Sequence, residues 1–252
     1  MRRFIIGAGA AVFTVIFSST VTYSMTATEI IRLSERATRG NTQVASYVIT
    51  IKTRRWTRTM KMVSWENRVQ KKSFSEITAP RKDAGNRFLL INKTMRHYIP
   101  KLQKDIKISP SMMLQSWMGS DFTNDDIVKE SSIVEDYFHS LEGQENIDGN
   151  ECHKIVLTPK PESAVVWGKI VYYARVKDYL PVREEFYNEH GVLKKVMTCG
   201  NFRKMHDRVI PTRYKMQTVK KKDKYTLMEI TGIRFNVPVS PGVFTIQNLK
   251  RR

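Results

Sequence analysis

Val44-Ala45-Ser46-Tyr47-Val48-Ile49-Thr50-Ile51-Lys52 places Ala45, Tyr47, Ile49 and Ile51 on one side of an extended chain and Ser46, Thr50 and Lys52 on the other. Successive side chains of a strand point to opposite faces, so this alternation marks a strand with one face in a core. Working outward, short segments of the same kind follow: Trp56 to Trp65, Val69 to Ile77, Arg87 to Ile91, Met95 to Ile99 and Asp105 to Ser109. After a break they resume at Val134 to Leu141, Cys152 to Thr158, Lys169 to Val176, Val182 to Tyr187, Val192 to Cys199, Val209 to Val219 and Tyr225 to Phe235. Turn residues such as Asp148-Gly149-Asn150 and Asn188-Glu189-His190-Gly191 separate them, as in antiparallel hairpins. About a dozen strands in one unit predict a mainly β, α+β fold: a large curved antiparallel sheet or unclosed barrel. Phe88-Leu89-Leu90-Ile91 is apolar on both faces and predicts a strand covered on both sides.

Arg2 and Arg3, followed by an uncharged apolar run from Phe4 to Phe17, have the pattern of a secretory signal. The run is shorter than the roughly 20 residues needed to span a bilayer. Cleavage after about Ser24 would leave one domain over residues 25–252, with no Gly-, Ser- or Pro-rich linker inside it. Thr26 and Thr28 ahead of Glu29, then Ile30, Ile31 and Leu33, and a stop at Arg39-Gly40, predict an amphipathic helix. Pro110 to Lys129 lacks strand periodicity and predicts short helices, with Thr123 and Asp126 in a capping-box spacing.

The formal net charge is +19, with basic residues spread along the chain at Lys52 to Arg58, Lys93 to Lys107 and Lys220 to Lys224. A positive surface attracts anionic partners; for an exported chain those are lipid head groups rather than nucleic acid. Cys152 and Cys199 fall three strands apart in a meander, and at about 4.8 Å per strand that exceeds the reach of a disulfide, so two free thiols are expected. No sequence motif of a metal, nucleophile or phosphate site is present, and neither cofactor nor catalytic residue is expected. Asp125-Asp126 and Glu184-Glu185 are adjacent carboxylates, which on a strand face opposite ways and share no proton-transfer task.

One segment stands out: Met112, Met113, Leu114, Trp117, Met118 and Phe122 concentrate large, mostly flexible apolar side chains. Methionine adapts to variable hydrophobic ligands, so these residues are candidate lipid contacts, with Trp56, Met60, Met62 and Tyr98 as partners on the sheet. Their alternative is ordinary core that plugs the open side of the sheet.

Tyr98-Ile99-Pro100-Lys101-Leu102, Ile108-Ser109 and Ser116-Trp117-Met118-Gly119-Ser120-Asp121-Phe122-Thr123 resemble the outer-membrane lipoprotein-sorting proteins of the LolA-like family. Leu157-Thr158-Pro159-Lys160, Tyr179-Leu180-Pro181, Tyr187 with Gly191, and Phe244 extend the resemblance over nearly all of the mature chain. It implies an unclosed β-barrel around a helical lid, an apolar cavity for acyl chains, and a periplasmic carrier acting as a monomer. It also implies partners: lipoprotein or lipid cargo, an inner-membrane transporter, which in this branch is often of RND type, and an outer-membrane acceptor. Met95, Arg96 and His97 replace an expected aromatic before Tyr98, which leaves the cargo open among lipoprotein, phospholipid and other lipids. The alternative is a sensor or adaptor that binds lipoprotein or docks on a transporter without moving cargo.

Overall fold

The computed structural model describes residues 25–92, 94–128, 132–161, 163 and 165–251. The segment read as a signal peptide, residues 1–24, lies outside them. Helix α1 (Ala27–Thr38) begins with a reciprocal capping box in which the Glu29 amide donates to Thr26 Oγ1 and the Thr26 amide to Glu29 Oε2. Ala27, Ile30, Ile31 and Ser34 form its buried stripe. It ends where Arg39 turns to an extended conformation, and Gly40 follows because a Cβ there would stand 2.6 Å from the Thr42 carbonyl oxygen.

Thirteen strands follow: β1 (Thr42–Lys52), β2 (Thr57–Asn67), β3 (Lys72–Ala79), β4 (Arg87–Ile91), β5 (Thr94–Ile99), β6 (Lys104–Ile108), β7 (Tyr137–Ile147), β8 (Asn150–Pro159), β9 (Lys169–Arg175), β10 (Pro181–Tyr187), β11 (Leu193–Met205), β12 (Arg208–Thr218) and β13 (Tyr225–Phe235). They form one sheet in the order β6-β5-β4-β3-β2-β1-β13-β12-β11-β10-β9-β8-β7. Two antiparallel meanders are thus joined where β1 pairs with β13, and β6 and β7 are left as edges. The barrel is unclosed, as the sequence predicts. β6 blunts its edge with Lys104 and Lys107.

The thirteen segments read from alternation match the thirteen strands, with the largest boundary shifts at β3, β7 and β11. β7 continues to Ile147 through polar sequence exposed on both faces that carries no period-two signal, and β11 to Met205 past Gly200-Asn201, with Phe202 and Met205 half-buried against neighbouring core residues. Val69, predicted to open a strand, stands 74% exposed in the β2–β3 turn. The β7–β8 hairpin closes on Asp148 (φ 48°) and Gly149 (φ 78°), the two left-handed residues that a tight hairpin turn requires. Cys152 on β8 and Cys199 on β11 are buried with β9 and β10 between them, too far apart to bridge to each other, and burial pushes the Cys152 thiol up to about 11.

β4 is covered on both faces. Phe88 and Leu90 join a core with Met60, Met95 and Trp117, while Leu89 packs outward against Phe74, Phe244 and Leu249. The outer cover is the C-terminal tail with α3 (Ile246–Leu249), tied down by Arg87, whose guanidinium donates to the carbonyls of Leu249 and Arg251 and pairs with Glu76 at 2.9 Å. The concave face carries two covers. α1 lies on the second meander, with Ile30 and Ile31 against Ile155, Leu157 and Tyr172. The chain between β6 and β7 plugs the first meander and contains α2 (Asn124–Val128).

Candidate functional site

Between these two covers and the sheet lies a cavity of about 260 Å³. That is near the lower bound of ligand pockets, about 300–1,000 Å³. Its wall follows from register. Gln43, Glu66 and Ser73 are cross-strand partners in one inward row; Ser64, Ser75 and Phe88 form the next, and Tyr47 and Met62 the one after. Rows of like orientation are two residues apart, about 6.8 Å. The lining therefore grades from hydrogen-bonding to apolar within two steps along β1 to β3, while the inward side chains of β4, Phe88 and Leu90, are both apolar, with Leu90 opposite Ser73. From the second meander Tyr172, Phe186, Tyr214 and Met216 extend it, and Phe122 and Ile127 cap it from the plug.

The polar end is held by ions. Arg39, at the end of α1, pairs with Glu66 and with Glu35 (3.3 Å); Arg68 reaches Glu35 at 2.7 Å, and Gln43 Nε2 donates to Glu66 at 2.7 Å. Burial opposes the Arg39 charge, but the carboxylates of Glu66 and Glu35 outweigh it and raise its pKa. Burial likewise raises the phenols of Tyr47, Tyr172 and Tyr214, so all three remain protonated. Tyr172 shares a 2.7 Å hydrogen bond with Ser34 of α1.

The run Ser116 to Thr123 is the fastening of the plug. Met118 and Gly119 turn through left-handed conformations (φ 49° and 79°), which buries Trp117 on one side and Asp121 on the other. The Asp121 carboxylate accepts from Thr218 and Thr226 at 2.9 Å, and Lys224 stands 3.6 Å away. Arg58 and Lys224 also donate to the carbonyls of Met118 and Gly119, and Lys195 to that of Asp121. The Thr123–Asp126 capping box is present in both directions, at 2.7 and 3.0 Å. Asp125 and Asp126 are thus neighbours on a helix, not on a strand, and both line the cavity; the expected opposite-face placement holds only for Glu184, which faces inward, and Glu185, which pairs with Arg183.

Of the ten candidate lipid contacts, Met62 and Phe122 line the cavity. Met60, Met113 and Trp117 are buried beside it in the core under the plug, with Met112 and Met118 packed against that core. Tyr98 packs on the outer side with Leu89 and the C-terminal tail. Trp56 does not face the interior with Met60 and Met62: it precedes β2 in the β1–β2 turn and is 48% exposed. Leu114 points outward from the plug and is 55% exposed. The polar half of the lining, Gln43, Ser64, Glu66 and Ser73, was missed, although Gln43 shares the face of Ala45 and Tyr47. A polar side chain in phase with a core-facing alternation is the signal that identifies it. Among the described residues, no cluster of His, Cys, Asp and Glu could hold a metal ion, and no helix is long and apolar enough to cross a membrane.

The wall beside the plug is sensitive to acid. His97 on β5 stacks on Phe88 with ring centres 4.2 Å apart and shares a 2.9 Å hydrogen bond with Asn86, and burial pushes its pKa down to about 4. An unfolded histidine titrates near 6.5. The unfolded chain therefore binds the proton first, so the stabilisation from neutral His97 is complete above about pH 6.5 and is lost as pH falls toward 4. His139, which links Thr28 of α1 to the Ile133 carbonyl, is shifted the same way by burial. Stability is expected to fall over that window by about 3 kcal/mol for His97, and the thermal midpoint with it. Melting curves of His97→Gln across the same range should show a shallower fall.

A family model described as "uncharacterized protein" matches residues 69–251. No curated protein matches the sequence. Among solved structures, an outer membrane lipoprotein-sorting protein domain from Vibrio parahaemolyticus, so described, has a TM-score of 0.79 at 22% identity, with 89% of this chain and 98% of that one covered. A DUF1329 family protein from Desulfovibrio piger has a TM-score of 0.80 at 20% identity, covering 88% and 97%. A LolA superfamily protein from Nitrosomonas europaea reaches 0.76 at 19% identity, covering 89% and 100%. These likenesses establish the fold, and the match to it runs almost end to end.

Proposed function

We propose, for a chain that belongs to the family whose model spans residues 69–251 and that has the fold of the LolA superfamily, that the cavity binds one amphiphile, polar head toward Gln43 and Glu66 and apolar tail toward Met62 and Phe122. The observation that carries this reading is the graded wall: an apolar core would not place Gln43, Glu66, Ser64 and Ser73 in inward rows, and a polar active cleft would not be floored by Met62, Phe186 and Met216. Burial of acyl chain contributes about 0.8 kcal/mol per methylene, so retention needs no reacting group.

At about 260 Å³ the cavity suits one tail, and a lipoprotein with several acyl chains would enter only with the plug displaced. The plug is built for that in one respect, since its fastenings at Asp121, Gly119 and Met118 are polar and exchangeable with water. The cargo class is therefore lipid or lipoprotein acyl chain, carried across the periplasm toward the outer membrane. An inner-membrane transporter, of RND type by resemblance, would load it. A transfer assay between two separated membranes distinguishes a carrier from a protein that binds and stays.

Occupancy is tested by filling the space. Met197 and Met228 line the cavity and are only partly buried, so tryptophan at either has room. Met197→Trp and Met228→Trp are each expected to reduce uptake of a fluorescent fatty-acid analogue at least tenfold while leaving the fold intact by circular dichroism. Undiminished uptake in both would place the ligand elsewhere.

A further inference from the structure

In an antiparallel meander the turns alternate between the two ends of the sheet, and pairing of β1 with β13 carries that alternation across the junction. The β1–β2, β5–β6, β10–β11 and β12–β13 turns consequently share one end. Each exposes a large apolar side chain: Trp56 (48%), Leu102 (59%), Val192 (45%) and Val219 (40%). Cations flank them, with Arg54 and Arg55 beside Trp56, Lys101 beside Leu102, and Lys220, Lys221 and Lys222 beside Val219. None of these six cations forms an ion pair within the described residues; at the opposite end the arginines are paired, Arg68 with Glu35, Arg175 with Asp178 and Arg208 with Asp207, and the exposed lysines Lys71, Lys177 and Lys204 are scattered singly.

We propose that this rim is a docking surface for an anionic lipid bilayer. Exposed unpaired cations lie where they meet lipid phosphates, at about a fivefold gain in binding per residue, and tryptophan with aliphatic neighbours suits the head-group boundary. A protein partner would ask for a continuous apolar patch, but here the apolar side chains stand singly on separate turns, three of the four beside positive charge. The β12–β13 turn also carries Lys224, which holds Gly119 and Asp121 of the plug, so the surface that meets the bilayer adjoins the plug fastening. The proposal stands whatever the cavity holds.

Flotation of the purified protein with vesicles of phosphatidylcholine, alone or with one-third phosphatidylglycerol, tests it. Binding is expected only with the anionic lipid and should be reversed by high salt. Lys220→Glu/Lys221→Glu/Lys222→Glu should weaken binding on the order of 100-fold, from the fivefold contribution of each cation. Trp56→Ser should weaken it severalfold. Lys71→Glu/Lys177→Glu/Lys204→Glu makes the same change in net charge at exposed sites toward the other end and should leave binding within a few-fold. An equal loss in both triple variants would mean that overall charge alone is felt and would overturn the proposal. So would no flotation with anionic vesicles, or binding confined to native membranes and abolished by protease treatment of those membranes, which points to a protein partner.

Discussion

Trp117→Ala is expected to destabilise the protein by about 3–5 kcal/mol, the usual cost of emptying a large aromatic site in a core. Trp117 is 1% exposed, and its ring lies 5.6 Å from that of Phe88 between ring centres, in the core that holds the plug against β2 to β6. In a domain of this size the midpoint of thermal unfolding should drop by about 10 °C. Hydrogen exchange should quicken in residues 112–126 before the sheet, because the packing lost is that of the plug. Trp117→Phe should cost much less: the indole N–H is buried with no hydrogen-bond partner among the described residues, and phenylalanine removes that orphan donor while keeping most of the apolar volume. Leu114→Ser, three residues away and 55% exposed, should change stability by no more than about 0.5 kcal/mol. Equal losses at Trp117 and Leu114 would show that the plug is not seated through Trp117.

The second large effect is expected at the polar end of the cavity. Arg39→Met leaves the carboxylates of Glu35 and Glu66 facing each other at low exposure, 17% and 18%, with only Arg68 and Gln43 to compensate. Removing one partner of a buried pair costs about 3–5 kcal/mol, whereas replacing both by apolar side chains is often neutral. Adding Glu66→Met to Arg39→Met should therefore restore most of the lost stability, which denaturant titration of the single and double variants would show. The double variant should nevertheless bind a fatty acid less well, because it takes Glu66 out of the polar row that receives the head group and removes the Arg39 charge beside it. Stability recovered together with full binding would remove Arg39 and Glu66 from the site.

The sheet was legible because most of its strands bury one face. Ala45-Tyr47-Ile49-Ile51 and Phe88-Leu89-Leu90-Ile91 write their environment into alternation or its absence, and β4 (Arg87–Ile91) and β13 (Tyr225–Phe235) have the predicted bounds. The far end of β7 was not legible, since a ribbon exposed on both faces has no hydrophobic period to read. The plug was placed correctly by its lack of strand pattern and by the Thr123–Asp126 spacing. The site was harder for a physical reason: it is made by rows that cross strands, and a row exists only once register is known. Density of methionine and tryptophan pointed at the plug, where Trp117 and Met113 serve as its packing core, while the cavity wall was assembled from single residues on many strands. Trp56 shows the limit in the other direction, because an aromatic residue next to an alternating run reads as core until the turn geometry puts it outside.

Native mass spectrometry of the protein purified without denaturant, with the bound species then released and identified, tests the central claim most directly. The account predicts a population carrying one amphiphile per chain, which can be stripped, restored by incubation with a fatty acid, and lost in Met197→Trp and Met228→Trp. A chain that shows only its own mass after such incubation, or adducts that persist equally in both variants, would contradict it.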